Sequence, residues 1–338
     1  MSHLPALSEI LERTYVVELP MVARFRGITT RQAALFEGPA GWGEFSPFVE
    51  YADAEAASWL AAGLEAAWKG LPRGRREAID VNATIPAVDA QQVPELAARY
   101  PGCQTFKVKV AEPGQSLRAD VARVEAVRAA VPGARIRVDA NGGWTVEQAL
   151  AAAAELGPLD YMEQPCASVE ELAQLRGLLQ RRGHFVRVAA DESIRRAADP
   201  YRVAQLHAAD VAVVKVAPLG GVRRVLALAQ DLRAQHMDIT VASALDTAVG
   251  LSAGLAAVSA LPTITDDDGS DVPPAAAGLA TQQLFAADVA APRPLIDGRL
   301  PTAPAVPEPE RLADLAADAA TADWWRGRIE RCWQVLAE

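Results

Sequence analysis

The sequence has 338 residues, which suits an α/β barrel of about 250 residues together with an appended module. Half of the residues are apolar and 22% are charged, so the chain can build a large core, and general disorder is excluded. The formal net charge is −10 and the arginines are scattered along the chain, which argues against a nucleic-acid partner.

The cysteines and the N-terminus indicate a protein of a reducing compartment. The cysteines are odd in number and widely spaced, which predicts neither a disulfide framework nor a CxxC metal site; they are Cys103, Cys166 and Cys332. The N-terminal stretch carries acidic residues and lacks a basic start followed by an apolar run, unlike a signal peptide. No small-residue stretch reaches the length of about 20 residues that spans a bilayer. We therefore expect a cytoplasmic protein with no membrane partner.

Residues 1–78 predict an α+β module. Strand-like runs occur at TYVVEL and RQAALFEG, and the segment from Gly38 to Gly43 carries a hairpin signal. A helix is expected from about Asp53 to Trp68. This organisation differs from that of the following residues, so we expect it to form a capping domain.

From residue 79 onward, short β-branched runs alternate with helical stretches, which predicts βα units around a parallel sheet. The expected strands cover 79–85, 104–110, 135–139, 159–163, 185–191, 210–216 and 237–243, with a short eighth strand within 275–279. Thr145 and Gln148 form a predicted capping box before one of the helices. Polar residues close successive strands at intervals of 24 to 30 residues, near the about 31 residues of one unit in an eightfold barrel.

The tail begins with a proline-rich stretch at 301–309 and ends in the amphipathic segment DWWRGRIERCWQVL. We expect this helix to return to the N-terminal module. The sequence therefore predicts an α/β protein with a modified TIM-type (β/α) barrel and an α+β N-terminal capping domain completed by the C-terminal helix. The expected divisions are 1–78 for the cap, 79–300 for the barrel and 301–338 for the returning segment.

Three carboxylates close consecutive predicted strands: Asp139, Glu163 and Asp191. Side chains at the carboxyl ends of barrel strands converge on one mouth, so we expect these three to meet there. Without a cation they would repel one another, and at least one would stay protonated. A hard divalent ion removes that conflict, and an all-oxygen ligand set suits Mg²⁺ better than Zn²⁺. A single such residue is more often a helix cap or a loop charge, so the prediction of a metal site depends on all three.

Lysines flank the same mouth. Lys107 and Lys109 are two residues apart on one strand, so both point to one side of the sheet, and we expect that side to face the barrel rather than its helical shell. A neighbouring cation and a metal both disfavour the ammonium form, so we expect a lowered lysine pKa and a neutral amine that can act as a base. Lys215 ends the sixth strand, across the mouth from the second. Two amines on opposite sides of a bound carboxylate are suited to moving a proton next to that carboxylate.

These residues occur in motifs that resemble the enolase superfamily. The motifs are TFKVKV, VDANGGW, MEQP, AADES, VVKVAPLGG and ASALDTAVG, and together with the N-terminal module they cover nearly the whole chain. Each string is short, but their joint order is specific. The resemblance implies a metal-dependent barrel enzyme that removes a proton from the carbon next to a carboxylate, with a lysine as the base.

Within the superfamily the chain is most similar to the o-succinylbenzoate synthase family of the muconate-lactonising subgroup, in an actinobacterial-like form. The closer similarity lies in GPAGWGEFSPFVEY, SALDTAVGLSAGLAA and AGLATQQLFAADVA. The resemblance implies Lys109 as base and then acid, Lys215 on the opposite face, and Mg²⁺, or Mn²⁺ in its place, as the metal. It implies metal ligation by Asp139, Glu163 and Asp191, and supporting or substrate-contacting positions for Lys107, Asn141 and Ser243.

The implied reaction is syn-dehydration of 2-succinyl-6-hydroxycyclohexa-2,4-diene-1-carboxylate to o-succinylbenzoate, a step of menaquinone synthesis. Two alternatives stay open: a racemase of N-succinylamino acids or an epimerase of dipeptides, and a non-catalytic metal-binding barrel. The acidic run at 266–268 resembles the DxD of dipeptide epimerases, but it precedes the eighth strand. We therefore expect it to be a solvated loop at the opposite face of the barrel.

Overall fold

An antiparallel sheet and two helices form the N-terminal part of the computed structural model, which describes residues 4–25, 27–195, 201–265 and 268–338. Helix α1 (Leu7–Glu12) precedes strands β1 (Thr14–Phe25), β2 (Ile28–Gly38) and β3 (Gly41–Phe45), which pair in that order, and helix α2 (Asp53–Leu64) follows and continues into a π-helical turn at Glu65–Lys69. The predicted hairpin is confirmed, since Gly38 pairs with Gly41. A Cβ on Gly43 would lie 2.0 Å from the carbonyl oxygen of Gly63, so β3 and α2 approach where only glycine fits.

The barrel follows as alternating strands and helices. Its strands are β4 (Ala78–Asp80), β5 (Ala83–Ile85), β6 (Thr105–Lys109), β7 (Arg135–Asp139), β8 (Tyr161–Glu163), β9 (Arg187–Ala190), β10 (Val211–Val214) and β11 (Asp238–Val241). Its helices are α3 (Val93–Ala98), α4 (Leu117–Ala130), α5 (Val146–Glu155), α6 (Val169–Arg181), α7 (Glu192–Arg195), α8 (Arg202–Gln205), α9 (Val216–Leu219), α10 (Val222–Arg233) and α11 (Ala248–Ala260). Strands β5 to β11 lie side by side in chain order as a parallel sheet. The predicted capping box of Thr145 and Gln148 begins α5.

The last part of the chain closes the barrel and returns to the cap. Its elements are β12 (Ile264–Thr265), β13 (Asp271–Val272), β14 (Arg299–Pro301), α12 (Pro309–Asp314) and α13 (Ala319–Ala337). Ala277 forms a parallel bridge with Val81, and Gly278 forms one with Ala242, so this short segment joins the two edges of the sheet. The eighth strand is predicted within 275–279, which contains this segment. In the described part of the chain, Ala277 and Gly278 are the residues of that stretch that form β-bridges.

One predicted strand is divided. The run 79–85 splits into β4, which pairs antiparallel with β14, and β5, which pairs parallel with β6. The backbone changes partners between the two: the amide of Val81 donates to Gly298, and that of Asn82 donates to Ala277. A uniform apolar run does not reveal such a change of partner.

The acidic run ahead of the closing segment lies in part outside the described residues, which do not include Asp266 and Asp267. The flanking strands β12 and β13 lie at the amino ends of the barrel strands, where Ile264 and Asp271 line a cavity together with Arg135 and Asp238. Among the described residues, none of the helices is long and apolar enough to cross a membrane.

Helix α13 packs on the cap, as predicted. Trp325 is fully buried, its ring meets that of Phe45 edge-on at 5.6 Å, and its indole nitrogen donates to Gln32 at 3.0 Å. The same apolar cluster contains Leu245 and Val249, so the cap core extends into the loop after β11 and the first turn of α11. The division of the chain at residues 78/79 and 300/301 stays a prediction.

We expect Trp325→Ala to lower the free energy of unfolding by about 3–5 kcal/mol, because it leaves a cavity in the cap core and removes a buried hydrogen bond. The neighbouring Trp324 is 43% exposed and serves as the matched control, for which we expect a clearly smaller loss after Trp324→Ala. Urea unfolding of both variants measures the difference. Equal losses would contradict the role given to Trp325.

Candidate active site

The carboxyl ends of five neighbouring strands bring the predicted site residues together. Lys109 pairs with Asp139, and Asp139 pairs with Glu163, so three strands end in register. Asp191 directly follows β9, and Lys215 directly follows β10. The strand order of the sheet therefore gathers residues that are far apart in sequence at one mouth of the barrel.

The lysines bond directly to the carboxylates. The ammonium of Lys107 lies 2.8 Å from Oε1 of Glu163 and 3.1 Å from Oδ2 of Asp139. That of Lys109 lies 2.6 Å from the same Asp139 oxygen, and Lys215 forms a short ion pair with Asp191. In this arrangement the described residues contain no group of three or more His, Cys, Asp or Glu side chains that could hold a metal ion. Ammonium groups supply the positive charge that the carboxylates require.

The pKa values show how strongly the carboxylates influence one another. Burial and the nearby charges of Asp139 and Asp191 together raise the pKa of Glu163 to about 7, against the opposing effect of Lys107. Burial also opposes ionisation of Asp139, but the two neighbouring lysines outweigh it and hold the pKa of Asp139 far below its usual range. Asp139 and Asp191 thus both disfavour ionisation of Glu163, and all three side chains offer only oxygen atoms, the donor type that a hard divalent cation prefers.

The expectation of a lowered lysine pKa is wrong for Lys107 in this conformation. Burial alone would lower the pKa of Lys107, but the facing charges of Glu163 and Asp139 outweigh that effect and raise it well above its ordinary value. The prediction considered the neighbouring amine and a metal, and it left out the direct contact with two carboxylates. Both lysines of β6 nevertheless face the barrel, as expected, because each bonds to a carboxylate there.

Asn141 and Ser243 also line the pocket. The side-chain oxygen of Asn141 accepts a hydrogen bond from Lys109 at 2.7 Å. The hydroxyl of Ser243 donates to Asp246 at 2.8 Å and accepts from the amides of Leu245 and Asp246. Asn141 therefore orients an amine, whereas Ser243 organises its own loop.

Gln164 is a buried site residue that the residue-by-residue prediction missed. Its side-chain oxygen accepts from the amides of Asp191 and Ser193, and its nitrogen donates to the Ser193 hydroxyl and to the carbonyl oxygen of Cys166. Its backbone has φ of 37°, in the left-handed region. Gln164 thereby fixes the loop that carries Asp191, and its place in the MEQP motif was the available signal.

Lysine is rare in this chain. Of its four lysines, three line the pocket, and the fourth, Lys69, is exposed in the cap. The other side chains that carry a positive charge at pH 7 are arginines, whose guanidinium groups stay protonated in proteins. The side chains able to lose a proton and act as amine bases are therefore concentrated at one place.

The cap contacts the loop after β11 through a buried carboxylate, Glu44. One of its oxygens accepts from the hydroxyl of Thr247 at 2.6 Å and from the amide of Gly250 at 2.9 Å, at the start of α11. Burial and the nearby charge of Asp246 together raise the pKa of Glu44 to about 7, although hydrogen bonds from Ser46 and Thr247 oppose the shift. This carboxylate links cap strand β3 to the pocket-lining loop.

Comparisons with known proteins agree with this architecture. Residues 89–304 match the family model described as "Enolase C-terminal domain-like", and residues 16–67 match "Enolase N-terminal domain-like". Muconate lactonizing enzyme from Pseudomonas fluorescens has the same fold, with a TM-score of 0.73 and 22% identity over 90% of this chain and 98% of that one. N-succinyl Arg/Lys racemase from Bacillus cereus gives a TM-score of 0.70 at 17% identity, over 90% and 97% of the two chains. Fold and site thus define a barrel protein of the enolase superfamily.

Relatives with more than half of their residues identical show which family of this superfamily the chain belongs to. o-Succinylbenzoate synthase of Mycolicibacterium smegmatis is 55% identical over 98% of both chains, and that of Mycobacterium leprae is 53% identical over 98% of this chain and 95% of its own. The chain belongs to the o-succinylbenzoate synthase family of the enolase superfamily.

We expect the stability of a Glu44→Gln variant to improve relative to the unchanged protein as the pH rises. The raised pKa of Glu44 means that folding favours its neutral form. The contribution of this neutral side chain to stability is therefore fully present below its ordinary pKa of 4.5, and it is lost as the pH rises from there through 7. The variant does not ionise, so the difference should move by about 3 kcal/mol in its favour between pH 4.5 and 8.

Urea unfolding at a series of pH values measures this difference. The variant replaces the carboxyl oxygen that accepts from Thr247 and Gly250 by an amide oxygen, so the informative quantity is how the stability difference changes with pH, and not its value at one pH. Glu37→Gln, at an exposed position of β2, controls for the loss of one negative charge. Parallel stability curves for the Glu44 variant and the unchanged protein would contradict the prediction.

Proposed function

We propose that the chain is an o-succinylbenzoate synthase, a hydro-lyase that dehydrates 2-succinyl-6-hydroxycyclohexa-2,4-diene-1-carboxylate in menaquinone biosynthesis. The observation that carries this proposal is the identity above 50% with relatives of that name over nearly the whole chain. The lysines and carboxylates at the barrel mouth agree with it, since the reaction needs an amine base beside a bound carboxylate. The setting that we propose is cytoplasmic.

The proposed metal ligands are Asp139, Glu163 and Asp191. The raised pKa of Glu163, caused by burial and by the other two carboxylates, supports this assignment, because a divalent cation relieves that repulsion. We propose Mg²⁺, with Mn²⁺ as an alternative, since both accept oxygen ligands. When bound, the cation supplies positive charge that stabilises the negative charge developing on the substrate carboxylate.

Lys109 is the proposed base. Its amine lies 2.7 Å from the side-chain oxygen of Asn141, which orients it, and it ends a strand at the mouth. It takes the proton from the ring carbon next to the carboxylate. The same ammonium then returns a proton to the departing hydroxyl on that face of the ring, so that water leaves and the ring becomes aromatic.

The other two lysines have supporting roles in this proposal. Lys215, held by Asp191, lies across the mouth and keeps a positive charge on the opposite face of the ring, where it stabilises negative charge and contacts the ring by a cation–π interaction. Lys107 bridges Glu163 and Asp139 and limits the repulsion between them. Ser243 supports the substrate-binding loop by holding the amides of Leu245 and Asp246.

Formation of o-succinylbenzoate by the purified protein with Mg²⁺ tests the function directly. We expect turnover that EDTA abolishes and that added Mg²⁺ restores, because the carboxylates cannot stabilise the developing negative charge by themselves. N-succinylamino acids and dipeptides are assayed in parallel for racemisation or epimerisation. A higher kcat/KM for those substrates, or no dehydration at all, would refute the proposal.

Replacing the proposed base should separate chemistry from metal binding. We expect Lys109→Met to lower kcat by about 10³-fold or more, while Mg²⁺ affinity measured by calorimetry is retained. Lys69→Met removes the exposed cap lysine and should leave kcat unchanged. Full activity of the Lys109 variant would remove this residue from the mechanism.

A further inference from the structure

The loop after β11 belongs both to the pocket and to the cap core. Ser243 and Leu245 line the pocket, and Leu245 is also a fully packed member of the cap's apolar cluster, 3% exposed. This loop is therefore where the cap can determine the shape of the pocket.

Leu245 has a strained backbone. Its φ is 67°, in the left-handed region, which costs a residue with a Cβ about 1 kcal/mol or more. Hydrogen bonds at both its backbone groups hold it there: its amide donates to the Ser243 hydroxyl at 3.0 Å, and its carbonyl accepts from Nε of Arg31, also at 3.0 Å. The second contact joins residues 214 positions apart in the chain.

Arg31, on cap strand β2, contacts two residues of the pocket wall, Leu245 and Phe48. Its side chain is buried, and its guanidinium also donates to the carbonyl and the hydroxyl of Ser46. The guanidinium carbon lies 4.5 Å from the centroid of the Phe48 ring, and Phe48 lines the pocket. A planar guanidinium with fixed donor directions can bond to the Leu245 carbonyl and to Ser46 while its face lies against the Phe48 ring. An ammonium has no planar face and cannot do this equally well.

We propose that Arg31 is a positioning residue that sets Phe48 and Leu245 as the apolar wall for the succinyl chain of the substrate. The inference rests on the proposed function. In the proposed function, the ring carboxylate of the substrate binds at the end of the pocket where the lysines and the proposed metal ligands lie, so the succinyl chain extends towards the remaining walls. Arg31 is not among the residues that line the pocket, so it acts through Phe48 and Leu245, which are.

The first test separates binding from chemistry. We expect Arg31→Met to raise KM about tenfold or more with kcat changed less than about threefold, because a displaced apolar wall weakens binding of the substrate and of the transition state alike. Arg326→Met is the matched control, since Arg326 donates to backbone carbonyls of Leu11 and Thr14 within the cap. It should lower stability and leave KM unchanged.

Two further readouts show through what Arg31 acts. In the Leu245→Ala background, Arg31→Met should raise KM by clearly less than in the unchanged protein, as expected for residues that share one effect. As competitive inhibitors, o-succinylbenzoate should lose about tenfold or more in affinity in the Arg31 variant, and benzoate, which lacks the chain, less than about threefold.

Failure of the role proposed for Arg31 can be distinguished from failure of the proposed function. Lack of turnover by the unchanged protein refutes the proposed function. Normal turnover with an unchanged KM in Arg31→Met, additive effects with Leu245→Ala, or equal losses for both inhibitors refute the role of Arg31 alone. If Arg31→Met does not fold, Arg31→Lys, which keeps the charge and loses the planar set of donors, is tested in the same way.

Discussion

The interaction on which the site depends is the pairing of buried ammonium groups with buried carboxylates at one end of the barrel. Burying an unpaired charge costs several kcal/mol, so neither set could lie there without the other or a metal. Strand register supplies the geometry, since Lys109, Asp139 and Glu163 end adjacent paired strands. The buried charges of the barrel therefore compensate one another, and the same residues are those that we propose for the chemistry.

The cap is the second requirement. Its core includes residues of the loop after β11, and Glu44 and Arg31 bond to that loop from β3 and β2. A barrel without the cap would leave Leu245 without the contact that opposes its backbone strain. The pocket is thus built from two parts of the chain: the barrel strands supply its lysines and carboxylates, and the cap fixes the loop that forms part of its wall.

The positions that the sequence predicts best are the polar residues at the carboxyl ends of the barrel strands. The chain order of the strands fixes where Asp139, Glu163 and Asp191 lie, so their meeting at one mouth could be predicted. Arg31 and Glu44 could not be found in this way, because their partners lie more than 200 positions away and depend on how the cap docks. A related reason explains why the sequence does not reveal the division of the run 79–85 or the raised pKa of Lys107. The first depends on which strands the two halves pair with, and the second on the carboxylates that face the lysine, and the hydrophobic pattern of the sequence identifies neither.

The scarcity of lysine has a practical consequence. With four lysines in the chain and three in the pocket, isotope labelling of this one amino acid would give a very sparse NMR spectrum in which most side-chain signals report on the pocket. The exposed Lys69 would supply an internal reference in the same sample. Protonation of each amine, and its response to added ions or ligands, could then be followed one nucleus at a time in the intact protein.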